Sequence, residues 1–154
     1  MKHTKSERGQ SLVELAISIF ILVYLLAGAV EFGLAFFQFV QLRDAAQEGA
    51  LYGSMNPYID SNGDGNYDSG EPVNQAGIET RARAASTSPV DLSDTTNVTV
   101  TVTPSGLLCE GNGIEVTVYF EHQIFMPFIP QFLGRDDIPL NATVTDTILS
   151  PVCP

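Results

Sequence analysis

The chain has 154 residues and a formal net charge of −11, with seven Lys and Arg against eighteen Asp and Glu. Lys2, Lys5 and Arg8 lie within the first eight residues, so the rest is more acidic still. Such a surface repels nucleic acid, which is excluded as a partner, and suits divalent cations. The apolar mass is uneven, with most of it before residue 41.

Residues 1–9 form a short basic leader. Residues 10–53 are expected to make one long helix, with no Pro inside it. No charged residue falls between Leu15 and Val30, and a membrane span over about residues 12–40 has the ~20 apolar residues that a crossing needs. The cations before the span place the N-terminus in the cytoplasm, and so residues 54–154 outside it. Beyond Val40 the helix becomes amphipathic. Leu42, Ala45, Ala46, Gly49, Ala50 and Gly53 recur at helical spacing and give a face of mostly small residues, against which another element can pack closely. Ala29 and Gly33 form a further small pair suited to helix–helix contact. Gly53, Asn56 and Pro57 are the expected stop. The helix would run on the order of 65 Å, about twice the hydrocarbon thickness, so roughly half must project from the membrane.

Residues 54–154 are expected to be an extracytoplasmic α+β domain. It begins with a loop, Asp60-Ser61-Asn62-Gly63-Asp64-Gly65-Asn66-Tyr67-Asp68-Ser69-Gly70-Glu71, which fits the twelve-position EF-hand pattern. Asp60, Asn62 and Asp64 would supply side-chain oxygens to calcium and Asn66 its carbonyl. Asp68 would bind directly or through water, and Glu71 would close the shell. Pro57 and Pro72 hem the loop in, which suits a structural clip more than a sensor. The alternative is a solvated acidic turn, since Asp, Asn and Gly are common loop residues. A short helix is expected over 73–87. Alternating Val and Thr predict strands over 97–103, 113–120 and 141–149. The Phe- and Pro-rich run Ile124–Leu133 is expected to be an apolar loop packed on the sheet. Cys109 and Cys153 either close a disulfide, contributing roughly 4 kcal/mol on the chain-entropy model, or remain buried thiols.

The most informative local pattern is Gly9-Gln10-Ser11-Leu12-Val13-Glu14. A Gly at the leader boundary with a Glu five residues later is the arrangement that prepilin peptidases recognise. A carboxylate in an apolar segment is expensive unless paired. Cleavage after Gly9 would free the Gln10 amine to meet a Glu14 carboxylate. Two alternatives stand beside this. Gly9 and Glu14 can be a linker and an interfacial residue, or Ala27-Gly28-Ala29 can be the cleavage site of a secretory signal. The chain stays apolar after Ala29, which argues against the latter.

Three blocks together resemble the TadE-like family of pilin-like proteins from tight-adherence pilus systems. They are Arg8 to Glu14, Val30-Glu31-Phe32-Gly33 with Ala35, and Arg43 to Tyr52. The resemblance covers about the first third of the chain. It implies a type IV pilin-like fold, with a long hydrophobic helix and a small antiparallel sheet packed on its C-terminal half. It also implies a non-enzymatic pseudopilin or minor pilin held in the cytoplasmic membrane and processed by a prepilin peptidase. Such a subunit would pair with others through its helix. A major filament subunit and a membrane-anchored calcium-dependent adhesion module remain alternatives; major pilins of such systems are typically much shorter. Glu31 is expected at the outer headgroup level, or else paired with Arg43 or a neighbour's cation. His122 is expected to be a packed or surface residue.

Overall fold

The computed structural model describes residues 7–127 and 129–153. Lys2 and Lys5 lie outside the described residues, as do the rest of residues 1–6, Phe128 and Pro154.

Helix α1 runs from Glu7 to Met55, through Gly9, the expected leader boundary, and past Gly53. Gly53 does not stop it, because here the missing side chain serves packing. A Cβ at Gly53 would lie 3.0 Å from the Ile78 Cδ1 and 3.1 Å from the Ile114 Cδ1. The stop falls at Asn56, whose N–H still donates to the Tyr52 carbonyl at 2.9 Å, and at Pro57, which has no N–H to continue the ladder.

Helix α2 spans Gln75–Arg83 and is shorter than expected. Asn74 caps it by accepting from the Gly77 N–H at 3.2 Å, while Val73 is drawn into a bridge with Tyr58. Arg83 is bound to Glu79 at 2.8 Å and donates to the carbonyls of Leu92 and Val98, fastening α2 to the chain that follows.

Strands β1 (Val98–Pro104), β2 (Gly113–Gln123) and β3 (Asp137–Thr147) form one antiparallel sheet in the order β1-β2-β3. β2 and β3 are longer at the β2–β3 turn than the Val/Thr alternation predicts, pairing out to Gln123 and Asp137. The Val residues face inward. Val98, Val100, Val102, Val116 and Val118 are buried and meet Leu42, Ala45, Ala46 and Ala50 of α1 and Ile78 and Ala82 of α2 in one core. The predicted small face of α1 is therefore its contact with its own head. At Gly49 a Cβ would meet the Ala82 Cβ at 3.1 Å and the Val116 Cγ1 at 3.2 Å. At the far end a disulfide joins Cys109 to Cys153, with Cα atoms 5.1 Å apart.

The Ile124–Leu133 run does not pack on the sheet. It leaves the end of β2, contains the short helix α3 (Ile129–Leu133), and reaches along α1 toward its N-terminal half. The Phe132 ring lies 5.5 Å from that of Tyr24. The physical reason is that the sheet's other face is lined by Thr99, Thr101, Thr117, Thr143 and Thr145, with Glu115 among them, and offers little to an apolar loop.

Candidate functional site

Where the head meets α1, the structure gathers polar side chains that are remote in sequence. Glu31 is only 3% exposed and His122 equally so. The Glu31 Oε1 lies 2.7 Å from the His122 Nε2 and accepts from the Phe125 N–H at 3.1 Å. Its Oε2 accepts from the Met126 N–H at 2.9 Å. On the other side of the ring, His122 Nδ1 meets the Gln38 Oε1 at 2.6 Å. The Nε2–Oε1 contact holds one proton between ring and carboxylate. One α1 turn beyond Gln38, the buried Gln41 amide donates to the Val90 carbonyl at 2.7 Å and accepts from the Val90 N–H at 2.8 Å. Residues 31, 38 and 41 thus form a polar row along one face of α1, placed by helical spacing. It locks β2, the loop after β2 and the loop before β1 to the long helix.

Glu31 is therefore held by His122 and two backbone amides, not by Arg43. A lone Glu in an apolar helix and a lone His at a strand end, 91 residues apart, carry no local sign of each other. The readable signal was that each sits among apolar neighbours and so needs a partner.

At the opposite end of α1 lies the acidic loop. Ile59 N–H donates to the Pro72 carbonyl and Asn74 N–H to the Pro57 carbonyl, both at 2.9 Å, closing its base. The Asp60 carboxylate accepts from the Gly63 N–H at 2.6 Å and the Gly65 N–H at 2.9 Å. The Gly65 and Gly63 amides hold this carboxyl below the usual Asp range. Both glycines sit at φ 78°, where an L side chain would be strained. Asn62 donates to Asp68 at 2.7 Å and to Asp64 at 3.3 Å. Asp64 accepts from the Asn66 N–H at 2.7 Å. Glu71 closes the ring by accepting from the Ser61 N–H at 2.9 Å and the Asp68 N–H at 3.2 Å. The six residues singled out in the sequence thus share one hydrogen-bonded loop. Among the described residues, no group of three or more His, Cys, Asp or Glu side chains is gathered so as to hold a metal ion. The Asn side chains and backbone carbonyls would have to complete any shell.

Gly9, Gln10 and Glu14 are exposed on α1, far from the head, with Gln10 and Glu14 one turn apart on the same side. Nothing lies within 4 Å of a Cβ built at Gly9 or at Gly33. Ala29 and Gly33 are exposed, whereas Ala45, Ala46, Gly49 and Gly53 are covered by the head. The small residues of α1 thus divide into a set used within the chain and a pair left open.

This is an α+β architecture of pilin-like outline: one helix long and apolar enough to cross a membrane, with a three-stranded sheet on its C-terminal half. A family model described as TadE-like protein matches residues 9–51, the segment that carries the resemblance noted in the sequence. The match and the apolar helix together fit a pilin-like component of a tight-adherence pilus. No curated protein and no solved structure matches the chain.

Proposed function

We propose that the chain is a TadE-like pseudopilin or minor pilin, anchored once in the cytoplasmic membrane with its head outside. After cleavage by a prepilin peptidase at Gly9, it would take part in pilus assembly alongside other pilin subunits. The carrying observation is the uncovered face of α1. Exposed apolar residues run from Leu12 to Val40, including Phe20, Phe32, Phe36 and Phe37. That stretch is about 42 Å long at helical rise, against ~30 Å of hydrocarbon. An upright helix leaves more than 10 Å of the apolar face outside the hydrocarbon, at headgroup level, whichever end is aligned. Helices of neighbouring subunits, packed side by side, would cover it all. In that setting the Gln10 amine and the Glu14 carboxylate offset each other's charge.

The test is N-terminal sequencing of the protein recovered from cells. A start at Gln10 is expected; an uncut leader or a start at Val30 would overturn the processed-subunit reading. Abundance in sheared surface filaments separates a minor from a major subunit, and low abundance is expected.

The loop from Asp60 to Glu71 is proposed as a structural calcium clip. Its support is the full match of residue types at the ligand positions, together with the left-handed glycines that let the chain fold back on itself. Affinity would be that of extracellular modules, with a dissociation constant on the order of 0.1–1 mM.

A further inference from the structure

We propose that the loop after β2, from Ile124 to Leu133, is a second membrane-inserted element. It would dip Phe125 and Phe132 into the acyl chains of the leaflet on the head's side, next to α1. This rests on the reading that α1 spans a bilayer.

Depth is the first support. Phe132 packs against Tyr24, and the cleft beneath it is lined by Phe20, Ile21 and Leu25. A hydrocarbon core takes about 20 helical residues. Every window of that length between Leu12 and Val40 contains Tyr24. Any placement of α1 across a bilayer therefore carries Phe132 inside the hydrocarbon, and a span ending near Glu31 puts it in the leaflet on the head's side. Measured from Glu31, Tyr24 lies about 10 Å deeper along the helix.

The loop's chemistry suits that position. No residue from Ile124 to Leu133 is charged, and the nearest charges, Glu121, Arg135, Asp136 and Asp137, stand at its base. Phe125 is 79% exposed and Phe132 84%, so the chain itself leaves them uncovered. Their surface continues the exposed apolar surface of α1.

Backbone accounting at the base of the loop is the third support. Non-helical chain enters hydrocarbon only where its polar groups are satisfied. Here the Ile124 N–H donates to the Asp136 carbonyl at 3.0 Å. The Phe125 and Met126 N–H groups both go to Glu31. Pro127 and Pro130 have no N–H, and the Gly134 N–H is taken by the Pro130 carbonyl at 2.8 Å. The buried Glu31–His122 pair thus gains a purpose: its carboxylate removes the donors that would otherwise resist insertion at the loop's base.

The chain has no Trp, so single tryptophans report position. Full-length protein is reconstituted in phosphatidylcholine vesicles with and without brominated acyl chains. Phe132→Trp is compared with Leu22→Trp on α1 and with Leu107→Trp in the β1–β2 connection at the head's far end. Loss of Phe132→Trp emission in brominated lipid, comparable to that of Leu22→Trp and absent for Leu107→Trp, is expected. Quenching of Leu22→Trp alone would overturn the inserted loop while leaving the anchor standing. So would a Phe132→Trp signal shielded from aqueous acrylamide yet untouched by brominated lipid, because another subunit would then cover the loop. If neither Leu22→Trp nor Phe132→Trp is quenched, both the spanning helix and the loop fail.

Discussion

Replacing Glu31 by Ala tests the neck most directly. The substitution leaves three polar groups without their partner: the His122 ring nitrogen at 2.7 Å, and the donating Met126 and Phe125 amides at 2.9 Å and 3.1 Å. An orphaned buried donor costs about 1–3 kcal/mol, and breaking one side of a buried pair about 3–5 kcal/mol. The two descriptions overlap, so about 3–5 kcal/mol is expected for Glu31→Ala, lowering the head's melting midpoint by about 10 °C or more. Glu31→Gln keeps one accepting oxygen but turns an N–H₂ toward donors, losing at least one bond at roughly 1–2 kcal/mol. Calorimetry of the full chain in lipid nanodiscs reads both values. His122→Ala completes a double-mutant cycle, in which a coupling of at least about 1 kcal/mol is expected for groups in direct contact. Strict additivity, with each single variant within about 0.5 kcal/mol of the parent, would refute the neck as a polar lock.

The other predictions concern the head and its loop. Cys153→Ser opens a link spanning 44 residues and should cost roughly 4 kcal/mol, seen as a lower melting midpoint that reductant also produces in the parent. Gly49→Leu drives side-chain atoms into Ala82 and Val116 and should cost about 1–3 kcal/mol in the same melt. Millimolar calcium should raise the head's midpoint and protect the 60–71 loop from protease. EGTA should reverse both, Glu71→Gln should abolish the response, and no change on adding EGTA would count against the clip. Without calcium, Asp60 is held below the usual Asp range by the Gly65 and Gly63 amides. A depressed folded value means its contribution is present above the ordinary Asp pKa of about 3.9 and is lost as pH falls through the folded value. Amide shifts of Gly63 and Gly65 should therefore titrate below that value, and Asp60→Asn should remove the transition.

Helical spacing and strand alternation expose the parts of this fold that depend on one element's own pattern. The charge-free run before Glu31, the small face from Leu42 to Gly53 and the Val/Thr strands are of this kind. Gly53 misleads because glycine has two uses, ending a helix and admitting a neighbour, and only the positions of Ile78 and Ile114 decide between them. The Glu31–His122 contact joins residues with no shared pattern, so the sequence shows two needs and not their common answer. The Ile124–Leu133 run reveals that it must be covered but not by what. Its composition fits a loop on a sheet, and only the Thr-lined outer face of that sheet sends it elsewhere.

The two halves of α1 consequently have separate energetics. From Leu42 onward the helix is covered by its own head, with Leu42, Ala45, Ala46 and Ala50 fully buried. From Leu12 to Phe37, apart from Glu31 and Ala35, nearly all of it stays open, with Leu12 at 69% and Phe32 at 72% exposure. Covering a Leu or Phe side chain is worth about 1.5–3 kcal/mol, so this surface demands cover on the order of tens of kcal/mol. No water-exposed monomer can meet that demand; lipid or neighbouring helices must. Because the head's core draws nothing from the open half, exchanging lipid for helices there does not require the head to unfold. The one structure that feels both environments is the neck at Glu31, with the loop it holds. On the proposed reading, a subunit passing from membrane to filament would change its surroundings around a fixed head, with Glu31 at the boundary between the covered and the open half.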